Sequence, residues 1–251
     1  MIIKNLHFNG CSFVAGTSLQ LERNKLGYDT VFPNREKMKK NFHTLLSSKL
    51  NVPSTNEAVS GGSNKRAIRV SYEYAKDNNI EGTLFIIGLS ELYRDEKFSF
   101  HTNDHIKWRY ETFLKFNRDI EWSKQLVPSS FAFHKFIEEN KYEDNIVDFA
   151  KTEFTFFKSR ENEFNKLAQN LTMLNSYIES KGGKLLVFSA MCDVLDVDKF
   201  NDINFMSFPN QIHHWRDYIY SYDNTYQYQH PCVDDQPIIA DLLFNYINDN
   251  I

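Results

Sequence analysis

The spacing of apolar positions changes from segment to segment, and each spacing predicts an element. Residues 2–9 (IIKNLHFN) read as a buried strand. Residues 34–49 read as a helix with Met38, Phe42, Leu45 and Leu46 on one face. A short strand is expected to end near Val59. It is followed by the turn SGGSN and a helix over 65–78, with Ala67, Val70 and Tyr74 at helical spacing. Residues 83–89 (TLFIIGL) form a continuous apolar run of strand length. Such a run suits a central parallel strand covered by helices on both faces.

From about 91 to 146 the pattern breaks into pieces read as short helices rich in Phe, Trp and Tyr. The longest periodic segment follows. Val147, Ala150, Phe154, Phe157, Phe164, Leu167, Leu171, Leu174 and Ile178 step by three and four, with one skipped turn at Glu161. This predicts a long amphipathic helix, ended by Gly182-Gly183. Residues 184–191 (KLLVFSAM) read as another buried strand and 200–229 as irregular; DDQPIIADLLFNYI, 234–247, reads as a closing helix. Strands alternating with helices predict an α/β fold with a mainly parallel sheet. No internal repeat or low-complexity linker divides the 251 residues, so a single domain is expected, carrying an insertion at about 91–146. The aromatics of that insertion, among them Phe98, Trp108, Tyr110 and Trp122, would form its own small core or the wall of a cap.

Composition narrows the classes of function. A hydrophobic share of 41% and a charged share of 25% are those of an ordinary globular chain. A net charge of −4 leaves no basic footprint for nucleic acid or an anionic membrane. No apolar run reaches the roughly 18 residues of a membrane-spanning helix. The first residues lack the basic start and cleavage site of a secretory signal, so a cytoplasmic protein is expected. Cys11, Cys192 and Cys232 are odd in number and show no metal spacing, which suggests reduced thiols. The abundance of Lys, Asn, Ile, Phe and Tyr hints at an AT-rich genome such as a phage's, and virion association would then be an alternative location. The length of the 147–180 helix leaves room for a partner helix and a homodimer.

Ligands of an open α/β sheet collect outside the carboxyl ends of its strands. The first strand end presents Ser12, in FNGCSFVAG. The second presents Gly61 and Gly62, then Ser63 and Asn64 opening a helix. The third presents Ser90 and Glu91, and QHPCVDDQPIIA places His230 before the last helix. A hydroxyl, backbone N–H groups at a glycine turn, a further polar side chain and an imidazole are the components of acyl transfer. Each has a plainer reading: Ser12 as a turn residue, Gly61 as a positive-φ turn, His230 as a solvated loop residue.

In this order the four blocks resemble the SGNH/GDSL hydrolase superfamily. FNGCSFVAG is similar to its first block, in the GCSF variant of phage and bacterial members, with Ser12 at the nucleophile position. NEAVSGGSNKRAIR is similar to the second, with Gly61 at the oxyanion glycine. LFIIGLSEL is similar to the third, with Ser90 replacing the family's oxyanion asparagine. HPCVDDQPIIADLL is similar to the last, with His230 as the base. The resemblance implies a three-layer α/β/α sandwich with a flavodoxin-like sheet. It also implies a serine ester hydrolase acting on an acyl ester, such as an acetyl ester, of a carbohydrate or small molecule, with no cofactor and no metal. The oxyanion would be held by the N–H groups of Ser12 and Gly61 with Ser90 or Asn64.

The family's Asp three residues before the histidine is Gln227 here. Loss of that charge in a serine-protease triad costs roughly four orders of magnitude in turnover. Three readings follow: a dyad with His230 oriented by a backbone carbonyl, a carboxylate from elsewhere (Asp223, Asp193 or Asp196), or a degenerate site. The last would make the chain a binding or virion-structural protein of this fold. Arg94 could bind a substrate carboxylate or phosphate, although an ion pair with Asp95, Glu96 or Glu91 is the stronger reading. His101 and His105 have metal-ligand spacing for a helix but lack a third ligand, so solvated surface is expected. The pair His213-His214 carries little weight. A phosphate cradle at SGGSNKR is weaker still, since its glycine spacing fits neither nucleotide fingerprint.

Overall fold

A computed structural model describes residues 2–16, 21–23, 29–31, 39–59, 62–90, 92, 94–99, 104–109, 160–191, 200, 202–208 and 234–251. In chain order these form β1 (Asn5–Gly10), α1 (Ser12–Ala15), β2 (Leu21–Arg23), β3 (Asp29–Val31), α2 (Phe42–Leu50) and β4 (Ser54–Asn56). Then come α3 (Asn64–Asp77), β5 (Thr83–Leu89), β6 (Arg94–Ser99), β7 (Asp104–Arg109), α4 (Arg160–Ser180), β8 (Lys184–Ser189), β9 (Asn204–Met206) and α5 (Gln236–Asn250).

The main sheet has five strands in the order β4-β1-β5-β8-β9, every neighbouring pair parallel. Numbered within the sheet this is the flavodoxin-like 2-1-3-4-5 order. The chain leaves β1 for β4 on one side, then returns to β5 on the other, so strand order reverses between β1 and β5. All seven residues of β5 are buried. Leu84 and Ile86 pack on one face with Leu6, Phe8, Leu186 and Phe188, under Phe42 and Leu46 of α2 and Ile239, Leu243 and Ile247 of α5. Phe85, Ile87 and Leu89 point to the opposite face, under Ala67 and Ala75 of α3 and Phe164, Leu171 and Ile178 of α4. The result is a three-layer α/β/α sandwich. Each such Leu, Ile or Phe contributes about 1.5–3 kcal/mol on leaving water, so the two cores together hold the layers.

Each helix ends where its sequence allows. Asn41 opens α2: its Oδ1 accepts from His43 N, its carbonyl accepts from Thr44 N and Leu45 N, and Gln236 Oε1 of α5 accepts from Phe42 N. Those bonds satisfy the N–H groups that a first turn leaves without intrahelical partners. Gly182, at φ +80, follows α4 in the left-handed conformation typical of a helix stop.

Several expected elements are corrected. The helix expected from 34 begins at Phe42, because Lys39–Asn41 form a turn and a cap. Met38 lies outside the described residues. The strand expected to end near Val59 ends at Asn56, where the Asn56 side chain turns to accept from Ala58 N. The buried face of α3 is Asn64, Ala67, Ser71 and Ala75, with Val70 and Tyr74 only half-buried. Close approach to the sheet favours the small side chains there. The first pieces of the insertion are not helical: β6 and β7 pair antiparallel, from Arg94 opposite Arg109 to Ser99 opposite Asp104. Charged residues interrupt both strands, so neither shows an alternation that could be read as β. Within 200–229 there is also a strand, β9. The 147–159 portion of the long helix lies outside the described residues, and the rest follows the expected stripe. Among the described residues no helix is long and apolar enough to cross a membrane.

Candidate active site

The place where strand order reverses is closed by two glycines. Gly10 and Gly88 lie opposite each other at the carboxyl ends of β1 and β5. Gly10 has φ +146, and a Cβ there would lie 2.6 Å from the Gly88 carbonyl oxygen and 2.8 Å from Val14 Cγ2. Only glycine tolerates both the conformation and the approach. The side chain of Asn9 supports the turn, its Oδ1 accepting from Gly10 N and its Nδ2 donating to Ser71 Oγ on α3.

After Cys11 the chain enters α1, a single turn whose four residues are all buried, ended by Gly16 in the left-handed conformation. Ser12 is its first residue and is 4% exposed. Asn56 fixes the turn from the side by donating to the Val14 carbonyl. Cys11 is buried and forms no disulfide, and its Sγ lies 3.6 Å from Met191 Sδ beyond the end of β8. Cys192 and Cys232 lie outside the described residues.

The second strand end is drawn to the first. Val59 N donates to the Gly10 carbonyl, and Gly62 N donates to the Val59 carbonyl. A Cβ on Gly62 would lie 2.5 Å from the Gly10 carbonyl oxygen. Ser63 then caps α3, its hydroxyl accepting from Arg66 N. Asn64, the first residue of α3, is buried and reaches the third strand end. Its Oδ1 accepts from Ser90 N at 2.8 Å, and its Nδ2 donates to the Ser90 carbonyl at 3.1 Å. The Ser90 hydroxyl is itself buried and finds no hydrogen-bond partner in the described structure.

The carboxyl ends of β1 and β5 and the turn after β4 thus meet at one edge, bringing Ser12, Asn64 and Ser90 to the same end of the sheet. Gly61, His230, Gln227, Asp223, Asp193 and Asp196 lie outside the described residues, as do His101, His213 and His214. Arg94 opens β6, and His105 stands opposite Phe98 in β7, on a strand and not on the helix that its spacing with His101 requires. Among the described residues no cluster of His, Cys, Asp and Glu could hold a metal ion.

Two histidines are described in full, and neither stands at this edge. His7, in the middle of β1, is buried, stacks on Tyr74 at 4.1 Å between ring centres and meets Thr55 Oγ1 at 3.0 Å. Burial lowers its pKa from 6.5 to about 4. His43, against Phe8 and Phe42, is lowered to about 4 by the same cause. Both are neutral near neutral pH, His7 inside the core and His43 half-buried at its edge.

Sequence reasoning missed Asn9 and Asn56 as supports of the serine turn. The available signal was a polar residue at the end of a buried strand, which must find a partner.

No family model and no curated protein matches the sequence. Among solved structures the chain is similar to a psychrotrophic esterase, EstA, from Pseudoalteromonas sp., at 12% identity and a TM-score of 0.46, over 98% of this chain and 97% of the esterase. It is also similar to TesA, at 11% identity and a TM-score of 0.49, over 99% of this chain and all of that one. A member of the lipolytic protein G-D-S-L family from Veillonella parvula matches at 11% identity and a TM-score of 0.46, over 99% of this chain and 98% of that one.

Proposed function

We propose that the edge formed by β1 and β5 is the active site of a serine ester hydrolase of the SGNH type. The observation that supports this most is the convergence of three strand ends at the point of order reversal. The Ser12 turn, the glycine turn at Gly62 and the Ser90 backbone are joined there by short contacts. The substrate class proposed is an acyl ester, such as an acetyl ester, of a carbohydrate or small molecule.

In the proposed reaction His230 takes the proton of the Ser12 hydroxyl as the oxygen attacks the ester carbonyl. The tetrahedral oxyanion is held by the N–H groups of Ser12 and Gly61 and by the Ser90 hydroxyl. Collapse expels the alcohol, which takes the proton from His230. Water then attacks the acyl-enzyme, giving its proton to His230, and the carboxylic acid leaves as Ser12 recovers its hydrogen. Gln227 supplies no charge to the imidazolium, so its orientation falls to a backbone carbonyl or to Asp223, Asp193 or Asp196.

A second reading is a non-catalytic binding or virion-structural protein of the same fold. The deep burial of Ser12 and Ser90 favours it, as do Gln227 and Ser90 at positions where the family has Asp and Asn. A fluorophosphonate probe separates the two. The hydrolase reading expects labelling of Ser12 that is lost in Ser12→Ala and in His230→Ala. A folded chain that never labels and never hydrolyses p-nitrophenyl acetate is the binding protein.

A further inference from the structure

Asn64 entered as a candidate oxyanion donor, but its Oδ1 and one hydrogen of its Nδ2 are bonded to the Ser90 backbone. We infer that Asn64 is a positioning residue: it grips the Ser90 backbone and thereby aims the Ser90 hydroxyl into the site. This rests on the hydrolase reading for its catalytic consequence, though not for the grip itself.

Ser90 is the first residue beyond β5, where the ladder no longer supplies partners. The Leu89 carbonyl still accepts from Ala190 N and Met191 N of the neighbouring segment. One residue later, the Ser90 N–H and carbonyl are turned instead to Asn64, at 2.8 and 3.1 Å. Both residues are at least nineteen-twentieths buried, at 1% and 5% exposure, so water cannot take over either bond.

A carboxamide presents its oxygen and one of its two N–H groups side by side in a plane, so it can meet the N–H and the carbonyl of one residue at once. Asn64 therefore exchanges both bonds with one residue, as a paired residue does in an antiparallel ladder. The grip fixes the peptide groups on both sides of the Ser90 Cα and with them the direction of its Cβ.

The Ser90 hydroxyl needs that guidance because nothing else holds it. It is buried without a partner in the described structure. A hydroxyl in that condition forfeits a hydrogen bond unless a visiting group supplies one. Aimed at the edge beside Ser12, it is a donor held ready for an oxygen that arrives with the substrate. Asn64 also begins α3, directly after the capping Ser63, so the grip ties the start of the helix that follows the glycine turn to the strand that ends at Ser90.

The test combines kinetics with amide exchange. Ser90→Ala, Asn64→Ala, Asn64→Asp and the double variant Asn64→Ala/Ser90→Ala are compared with the parent for thermal unfolding, for p-nitrophenyl acetate hydrolysis and for hydrogen exchange at the Ser90 amide. Ser90→Ala is expected to lower kcat by about 100-fold with KM unchanged, the scale of a lost oxyanion donor. Asn64→Ala is expected to lower kcat similarly, and the double variant to fall no further than Ser90→Ala, since Asn64 acts through the missing hydroxyl.

The Ser90 amide should exchange slowly in the parent, in Ser90→Ala and in Asn64→Asp, which keeps the acceptor, and quickly in Asn64→Ala. Losses that multiply in the double variant, or a Ser90 amide equally protected in Asn64→Ala, overturn the inference. A parent that neither hydrolyses the ester nor takes a fluorophosphonate overturns the hydrolase reading instead. The grip is then decided by exchange alone. If Asn64→Ala does not fold, Asn64→Asp decides: it must keep the slow Ser90 amide while losing at least 10-fold in kcat, because the carboxylate oxygen that replaces Nδ2 repels the Ser90 carbonyl.

Discussion

The α-carbon of Gly62 rests on the carbonyl oxygen of Gly10, with so little space between them that an added methyl carbon would lie 2.5 Å from that oxygen. The Val59 carbonyl closes the other side at 3.1 Å. Backbone atoms on both sides cannot swing away as a side chain would.

Gly62→Ala therefore has to push the glycine turn off the end of β1. Overpacking of this kind costs about 1–3 kcal/mol, and here the upper end is expected. A urea melt reads the loss, and on the hydrolase reading fluorophosphonate labelling should fall even in the folded fraction, because the glycine turn of the proposed site is displaced from the end of β1. An alanine variant as stable as the parent would show that the two turns are not in contact.

The tie between α5 and α2 gives a second expectation. Gln236 is fully buried and accepts from Phe42 N at 3.1 Å, at the first turn of α2. Gln236→Leu keeps the volume and removes the acceptor, at a cost of about 1–3 kcal/mol for a stranded amide. The midpoint in urea should fall with the slope unchanged, since the surface exposed on unfolding stays the same.

Ser63 caps the helix that carries Asn64. Ser63→Ala removes the acceptor for Arg66 N and should cost about 1 kcal/mol, whereas Ser63→Asp, which restores an acceptor at a helix start, should recover most of it. The thermal midpoints of the three proteins check the order.

His7 makes stability depend on pH. Its folded-state pKa of about 4 lies below its ordinary 6.5. Between those values the unfolded chain binds a proton that the folded chain refuses, so the stability present above pH 6.5 is lost as pH falls toward 4. By pH 5 the loss from this one group is about 2 kcal/mol. Its surroundings, Thr55, Tyr74 and Phe85, supply no carboxylate to offset it. His7→Phe keeps a ring against Tyr74 and should flatten the stability profile between pH 7 and 5 by that amount. Denaturant melts at the two pH values measure it, and an unchanged slope would mean that His7 titrates normally.

The sequence spoke most clearly where one physical demand acted alone. The run from Thr83 to Leu89 is apolar because both faces of β5 are covered, and its strand length after Gly82 marked it as a strand. The stripe from Phe164 to Ile178 and the stop at Gly182 were equally plain. The three-residue strand β9 was hidden, and the end of β4 was placed too far along the chain, because so short a segment carries no period. Pairing with β1 and β8 makes them strands. The candidate site was legible as residue types at strand ends, Ser12 and Ser90 among them. What Asn64 does with its two polar atoms was not, since the partner lies 26 residues away and is a backbone group. The reading of 2–9 as a buried strand placed His7 inside, but its partners Thr55 and Tyr74 lie far along the chain and left no sign in the sequence.

Because β4 and β9 form the two borders of the main sheet and each is only three residues long, that sheet offers a stray strand almost nothing to zip onto. The long sticky strands, β5 and β8, are locked in the middle. Clumping in a warmed sample should therefore follow the appearance of unfolded chains and lag behind it, so a ligand or an added salt that raises the melting point should delay turbidity by the same number of degrees.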